Sequence, residues 1–383
     1  MFPTTDDIQV ASASGHSPVA SIGPASPLAS DATNPMPPAG YAHPPHLLLP
    51  YAVLTQVDGS RTLPDGPLRN LSELLSRTHR VSHCGHAPPG TDARRSLTPP
   101  HEWALATALG LIPESGRSPT ATNASSNQQG GADGQIPWAA WACPQLLSSP
   151  VTPAAWFTPC HQEVGTGQVT LYPPATLALS DEHSQALMAA LQPLAAEDGI
   201  ALTWVAADRW LAQGAVFAGL ATASLDRVVG RSIAPWLGTD AAAAGLRRLQ
   251  SEAQMLFYTH PAHDERHAQQ LAPINAIWIS GSGACSPRAR RHAPELVVDT
   301  SLRAAALRHD TNAWHRAWQA LEAEVLPAWV SHVRQGQPMD LTLCGESAYM
   351  TLHLRPPSGW RGWWTKISSS FRLLRLPDVT SSL

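Results

Sequence analysis

The chain has 383 residues and a formal net charge of -4, from 25 Lys and Arg against 29 Asp and Glu. This balanced charge, without a clustered basic run, argues against nucleic-acid binding. Five scattered cysteines without a CxxC pair argue against a disulfide framework or a zinc ribbon. There is no secretory signal and no apolar run long enough to span a bilayer, so we expect a soluble, cytoplasmic protein that does not bind membranes.

Two stretches are predicted to lie outside the folded core. Residues 1–43 are rich in Ser, Pro, Ala and Thr, and residues 114–135 are polar and rich in Gly, Ser and Asn. Neither stretch can bury enough apolar surface to offset chain entropy. We therefore expect a disordered N-terminal extension, followed by one α/β domain over residues 44–375 that carries a low-complexity insert at 114–135.

Strands and helices are predicted in alternation along this domain. HLLLPYAV (46–53) predicts the first strand, HEWALATALG after Pro100 predicts a helix, and Ser180 is expected to cap a helix that ends at Gly199. Helices are also predicted over 240–257 and from about Asn312, where Trp314 and Trp318 mark a buried face. The other predicted strands are apolar runs at 154–158, 168–172, 200–206, 274–280, 295–299, 339–345 and 347–354. This order predicts an α/β fold in which a mixed sheet is flanked by helices.

The segment from Thr259 to Gly283 has the most suggestive pattern for a binding site. A helix is predicted to end at His260, a loop carries Arg266, and a buried strand with Asn275 and Trp278 ends in Gly281 and Gly283. Glycines after a strand leave the backbone N–H groups open to an anion, and a guanidinium binds oxyanions through two hydrogen bonds. His260, Arg266, Asn275, Gly281 and Gly283 are therefore candidates for an anion or phosphate pocket, with a structural turn as the alternative. The pocket hypothesis predicts that Arg266→Ala abolishes binding without changing the stability of the unliganded protein. Trp278 is expected to be buried with one partner for its N–H.

Other candidate residues lie in two further loops. Arg227 and Arg231 in SLDRVVGR are suited either to an anionic ligand or to a carboxylate that holds the loop. His161 is a candidate ligand-binding residue, and with Cys160 it forms a thiol and a base side by side. Neighbours in sequence rarely face one another, however, and no third catalytic group is identified. Glu346 follows a strand, where either a site residue or a plain turn is expected.

Several pieces of the chain, in order, resemble the RpfE-type regulatory proteins over residues 43–375. The matching pieces are TPPHEWALA (98–106), GQIPWAA (134–140), TPCHQEVGTGQVTL (158–171), TASLDRVVGR (222–231), RRLQSEAQMLFYTHP (247–261), NAIWISGSG (275–283) and LTLCGE (341–346). The segment 259–283 also resembles a signature of archaeal-type cofactor-independent phosphoglycerate mutases. That resemblance implies a fold related to alkaline phosphatase, in which active enzymes hold two divalent cations with Asp and His.

Asp58 lies near the first predicted strand, where an Asp ligand could belong, but no recognisable run of such metal ligands follows it in the sequence. Two groups of histidines, His79, His83 and His86 with Cys84, and His260, His263 and His267, lack flanking carboxylates at a suitable spacing. Both groups are therefore predicted to lie in solvated loops, and no cofactor is expected, although a divalent metal held by unrecognised ligands stays open.

Two functions remain from the sequence alone. The first is a non-catalytic or regulatory protein with an anion pocket for a small phosphorylated or carboxylate ligand, with room for a protein partner. The second is an active phosphoryl-transfer enzyme, a mutase-like isomerase or a phosphatase, whose ligands are not recognised. Whether the protein is an enzyme is left open, and no catalytic residue is assigned.

Overall fold

The computed structural model describes residues 44–55, 61–62, 64, 66–85, 96–112, 133–238, 243–285 and 295–355. Thirteen strands and ten α-helices lie in these residues. The strands are β1 (His46–Leu49), β2 (Leu54–Thr55), β3 (Arg61–Thr62), β4 (Thr78–Gly85), β5 (Ala154–Cys160), β6 (Gln162–Gly165), β7 (Gln168–Leu171), β8 (Ala201–Ala206), β9 (Arg209–Gln213), β10 (Ala276–Gly283), β11 (Leu296–Val298), β12 (Met339–Cys344) and β13 (Tyr349–Leu354). The helices are α1 (Arg69–Ser76), α2 (Pro100–Ala108), α3 (Trp138–Ala142), α4 (Asp181–Glu197), α5 (Leu225–Val228), α6 (Ala244–Thr259), α7 (Pro261–Ala268), α8 (Ser301–Leu307), α9 (Thr311–Ala320) and α10 (Leu326–Arg334).

A five-stranded sheet has the order β11-β1-β12-β13-β4. Strand β1 is parallel to β11 and β12, whereas β13 is antiparallel to β12 and to β4. All four residues of β1 are buried, as expected for a strand whose two faces are both covered. The sequence-based prediction of an α/β fold with a mixed sheet flanked by helices is therefore confirmed.

Each face of this sheet packs on helices. On one face, Leu47 and Leu341 join Trp314, Trp318 and Trp329 in a core formed with α1, α9 and α10. Trp314 and Trp318 have 0% and 1% of their surface exposed, which confirms their predicted burial. The opposite face packs on α2 through a second cluster of buried residues, which includes Leu48, Leu105 and Cys344.

A second sheet was not predicted from the sequence. It has four antiparallel strands in the order β10-β5-β9-β8. One face carries Phe157, Trp210 and Ile277, which pack on α4 and α6. Because side chains alternate along a strand, the neighbouring residues, such as Trp156 and Arg209, lie on the other face, toward α3. That second face contributes one wall of the candidate site described below.

Most predicted elements are present, and a few segments were assigned wrongly. Ser180 caps α4 by accepting a hydrogen bond from the backbone N–H of His183, as predicted. The buried strand predicted at 274–280 is β10, and Trp278 donates its ring N–H to the carbonyl of Ala223 at 3.0 Å. The predicted loop that carries Arg266 is wrong, because this residue lies in helix α7. The polar stretch that contains His79 is wrong as a loop, since 78–85 forms the edge strand β4.

The chain around the predicted insert is described on both sides, up to residue 112 and from residue 133. The Asp133 carboxylate accepts hydrogen bonds from Ser96 Oγ at 2.8 Å and from the backbone N–H groups of Leu97 and Thr98 at 2.7 and 2.9 Å. The N–H of Gly134 in turn donates to Thr98 Oγ1 at 2.9 Å. Residues 1–43 and 113–132 lie outside the described residues, so the predicted disorder there stays a prediction.

In the described part of the chain, none of the helices has the length and apolar character that crossing a bilayer requires.

Candidate functional site

Most of the residues first proposed as an anion pocket lie at the amino end of β10. Asn275 precedes this strand and binds the backbone of Gln162 twice, accepting from its N–H at 2.8 Å and donating to its carbonyl at 2.9 Å. His161 Nδ1 lies 2.9 Å from the carbonyl oxygen of Pro273. These contacts fasten the start of β6 to the start of β10, so the polar atoms involved are already bound within the protein.

Arg266 is also bound to backbone groups. Its side chain is 1% exposed, and it donates to the carbonyl oxygens of Ala272 at 2.9 Å, Ala178 at 3.3 Å and Leu177. This guanidinium therefore joins α7 to the segment before α4. His260 is the residue between α6 and α7, where its Nδ1 accepts a hydrogen bond from the N–H of Ala262 at 3.1 Å. A capping histidine and a buried arginine explain these two residues without a ligand.

Cys160 and His161 do not form a thiol and base pair in this arrangement. Cys160 is the last residue of β5 and is fully buried, and burial raises the pKa of its thiol, which disfavours the nucleophilic thiolate. Burial lowers the pKa of His161, whose ring packs edge-on against Tyr172 with 5.1 Å between the ring centroids. Both residues fit a structural role.

Gly281 and Gly283 lie at the opposite end of β10. Asn275 and Gly281 are six positions apart, or roughly 20 Å of extended strand. A Cβ atom at position 281 would lie 2.9 Å from Cβ of Trp138, and one at 283 would lie 3.2 Å from Cβ of Pro137. Both glycines therefore let β10 pack closely on the start of α3. The structure does not bring the five candidate pocket residues together, and anion binding by them stays a prediction.

Arg227 lies nearer to the carboxyl end of β10. It is 4% exposed and donates to the carbonyl oxygens of Thr98 at 3.1 Å and Glu346 at 3.3 Å. Arg231 lies 3.7 Å from the carboxylate of the same Glu346. The carboxylate pair that the sequence left open for this loop is therefore present for Arg231.

A cleft of about 120 Å³ opens at this carboxyl end. Strands β5, β9 and β10 supply one wall, and helices α2, α3, α5 and α8 supply the other. Its lining includes Glu102, Trp138, Trp156, Arg209, Asp226 and Arg303. Of the residues proposed from the sequence, Gly281 alone is part of the lining described here.

Glu102, on α2, lies at the inner side of this cleft and is 8% exposed. Ser224 Oγ donates to one of its carboxylate oxygens, and Trp138 Nε1 donates to the other at 3.0 Å. Burial raises the pKa of Glu102, and these donors offset that effect only in part. The carboxyl group is therefore harder to ionise than an ordinary glutamate.

Asp226, in contrast, is easier to ionise than an ordinary aspartate. It is 2% exposed, and Arg303 donates to both of its oxygens, from Nε at 2.7 Å and also from Nη2. Nε2 of the fully buried His101 lies 3.1 Å from the same carboxylate. Burial alone would raise the pKa of Asp226, but the charge of Arg303 and the proximity of His101 outweigh it, so that pKa lies well below its ordinary value.

Arg209 is the cation of the cleft that is not bound to a carboxylate among the described residues. Its guanidinium lies over the ring of Trp156, with Cζ 5.5 Å from the ring centroid. Stacking of this kind keeps a guanidinium in a fixed plane while its N–H groups stay available for other partners. Arg209 is thus the group best placed to bind an external anion.

Apart from Gly281, the residues of this cleft were missed from the sequence as site residues. Glu102 and Asp226 lie within TPPHEWALA and TASLDRVVGR, two of the pieces noted for their resemblance to a family. Both could have been found as charged residues inside short, otherwise apolar helical segments. Charged residues are rarely buried without a bound partner, so such a position indicates a polar cluster. Arg209 and Arg303 have no comparable sign, since the β9 strand and the α8 contact follow from tertiary packing.

The side chains described in the structure do not fit the two-metal site that the mutase resemblance implies. Among them, no group of three or more His, Cys, Asp or Glu residues is placed to hold a metal ion. His263 and His267 lie on helix α7 and not in the predicted solvated loop. Asp58 and His86, and the side chains of His83 and Cys84, lie outside the described part of the chain.

Comparison with known proteins gives distant structural likeness only. The chain is similar to the PH0037 protein from Pyrococcus horikoshii, with 10% identity and a TM-score of 0.40 over 82% of this chain and 88% of that one. It is also similar to a cofactor-independent phosphoglycerate mutase from Thermoplasma acidophilum, with 13% identity and a TM-score of 0.28 over 82% and 90% of the two chains. No protein-family model matches the chain, and no curated protein matches its sequence.

Proposed function

We propose that this protein is a non-catalytic, regulatory member of the RpfE-type, phosphoglycerate mutase-like proteins, and that it binds a small anionic ligand in the cleft at the carboxyl end of β10. The observation that supports this most is Arg209, a half-buried cation in the cleft wall whose contact is the ring of Trp156 and not a carboxylate. A phosphate or carboxylate is the natural partner of such a guanidinium.

The two buried carboxylates favour binding over metal-assisted chemistry. Asp226 is bound on both oxygens by Arg303, and Glu102 accepts hydrogen bonds on both of its oxygens. Carboxylates that are engaged in this way have few lone pairs left for a cation. The anionic ligand would therefore be recognised by Arg209, while the carboxylates fix the shape of the cleft.

Thermal unfolding with and without millimolar phosphate or 3-phosphoglycerate tests the proposal. A ligand that binds only the folded state raises the melting temperature. We expect stabilisation of the wild type, loss of that stabilisation in Arg209→Ala, and no loss in Arg316→Ala, which removes an equally charged but exposed side chain on α9. Equal stabilisation of all three proteins, or none in the wild type, would contradict the proposal.

The alternative is an active phosphoryl-transfer enzyme, a mutase or a phosphatase, whose metal ligands come partly from residues such as Asp58 that the structure does not describe. Conversion of 3-phosphoglycerate by protein supplied with manganese or zinc, together with about two equivalents of metal retained after dialysis, would favour this alternative.

A further inference from the structure

The walls of the cleft carry information about the shape of its ligand as well as its charge. Trp138 and Trp156 both line it, and Trp138 is fixed by the hydrogen bond of its Nε1 to Glu102 at 3.0 Å. Gly281 lies next to both side chains, since a Cβ atom there would meet Trp138 Cβ at 2.9 Å and Trp156 Cδ1 at 3.2 Å. Both tryptophans therefore approach β10 at this one residue.

The size of the cleft restricts the ligand further. Its volume of about 120 Å³ is comparable to an apolar cavity of roughly 150 Å³ that accommodates benzene. The space is thus on the scale of a single six-membered ring and too small for a nucleotide.

The inner side of the cleft argues against a second anionic group on the ligand. Glu102 lies there as a buried carboxyl group, Asp208 adds a further carboxylate to the lining, and the charge of Arg303 is already matched by Asp226. Arg209 is left as the one cation of the cleft that has no carboxylate partner among the described residues. A second anionic substituent would therefore find no unpaired cation in the described lining and would face the carboxylates of Glu102 and Asp208.

We propose that the ligand of the cleft is a small planar aromatic acid, one ring with a single carboxylate or phosphate, whose anionic group binds Arg209 and whose ring packs against Trp138. This inference rests on the proposed function, because it specifies the ligand of the same site. It adds a requirement for a planar ring that simple anion binding does not have.

Calorimetric titration with a matched series of probes tests the ring requirement. Benzoate and phenyl phosphate carry both ring and charge, acetate and inorganic phosphate carry the charge alone, cyclohexanecarboxylate carries a non-planar ring, and phenol carries the ring without the charge. We expect benzoate to bind roughly tenfold more tightly than acetate, because burying and stacking a ring contributes at least that factor. Cyclohexanecarboxylate should fall between them, and phenyl phosphate should exceed inorganic phosphate by a similar factor.

Two variants locate this binding on the proposed residues. Arg209→Gln keeps a planar amide over Trp156 but removes the charge, so benzoate should bind no better than phenol while phenol binding is unchanged. Arg316→Gln is the matched control and should behave as the wild type. Because Arg209 is half-buried and has no carboxylate partner in the described chain, the melting temperature of the unliganded Arg209→Gln protein should stay close to that of the wild type.

The outcomes distinguish failure of the aromatic-ligand inference from failure of the anion-binding proposal. If acetate and phosphate bind as tightly as benzoate and phenyl phosphate, and Arg209→Gln abolishes all binding, anion binding stands and the aromatic ligand is wrong. If benzoate binds Arg209→Gln as well as it binds the wild type, the ring occupies another place and the inference fails. If none of the probes binds, the proposed function fails with it.

Discussion

The polar side chains that lie near the two ends of strand β10 bind different kinds of partner. At the amino end, Asn275 and Arg266 donate to or accept from backbone groups of neighbouring segments. At the carboxyl end, Glu102 and Asp226 bind other side chains around a cleft. A polar group bound to backbone holds the chain in place, whereas side chains that bind one another across a cavity can form a site. For this reason we place the candidate site at the carboxyl end of β10 and not at its amino end.

The largest effect is expected from Asp226→Asn at the carboxyl end. This change removes the charge that Arg303 and His101 face in a buried setting, and breaking such a pair costs roughly 3–5 kcal/mol. The free energy of unfolding from denaturant titration measures the loss. Asp264→Asn on the exposed side of α7 is the control and should cost less than about 1 kcal/mol. Similar losses in both variants would mean that the Asp226 pair contributes little.

The next largest effect is expected from Arg266→Ala at the amino end. It leaves the carbonyl oxygens of Leu177, Ala178 and Ala272 without their donor, and the one of Leu177 is buried, so the change should cost about 3 kcal/mol. Binding of phosphate or benzoate should be unchanged wherever the variant is still folded. The earlier pocket hypothesis predicts the reverse, with unchanged stability and lost binding, so unfolding and binding measurements on one variant decide between the two.

Gly281→Ala probes the close packing of Trp138 and Trp156 against β10. Its φ of 63° already disfavours a side chain, and the new Cβ would also meet Trp138. Gly167→Ala is a matched control, because Gly167 has a φ of 80° but no atom within 4 Å of the added Cβ. Both changes should cost about 1–2 kcal/mol for the backbone, and Gly281→Ala should cost roughly 1–3 kcal/mol more for the clash. Equal costs would show that the strand relaxes away from α3.

The smallest effect is expected from Glu102→Gln and depends on pH. Since burial raises the pKa of Glu102 above its ordinary value of 4.5, the folded chain resists ionisation more than the unfolded chain does. This group therefore lowers stability as the pH rises from about its ordinary value through its raised value. Relative to the Glu102→Gln variant, the wild type should therefore lose unfolding free energy over that range, by about 1.4 kcal/mol per unit of pKa shift. A difference that is constant from pH 4 to 8 would show that the carboxyl group ionises normally.

The sequence predicted the elements of the fold better than it predicted the site. Apolar runs such as HLLL in β1 and the tryptophans of α9 have patterns set by burial, so their positions are readable from the chain itself. The strand β9, the second sheet and helix α7 were missed because their lengths and pairings depend on tertiary contacts. Arg266 shows the same limit at the level of function. An arginine near a glycine-rich strand end is suited equally to an anion and to carbonyl oxygens, and its partners are known only once the fold is.

The contacts of Asp133 make the preceding segment, residues 113–132, suitable for the insertion of a reporter or tag. Its carboxylate holds the turn at 96–98, so the segment that returns after residue 132 is fastened at its point of entry. A fluorescent reporter or affinity tag placed in 113–132 through flexible glycine–serine linkers would then enter and leave the domain at fixed points. Because the entropy of closing a flexible loop grows only with the logarithm of its length, each doubling adds about 0.6 kcal/mol. Thr98, whose carbonyl oxygen accepts a hydrogen bond from Arg227, would connect such a reporter to the residues beside the cleft.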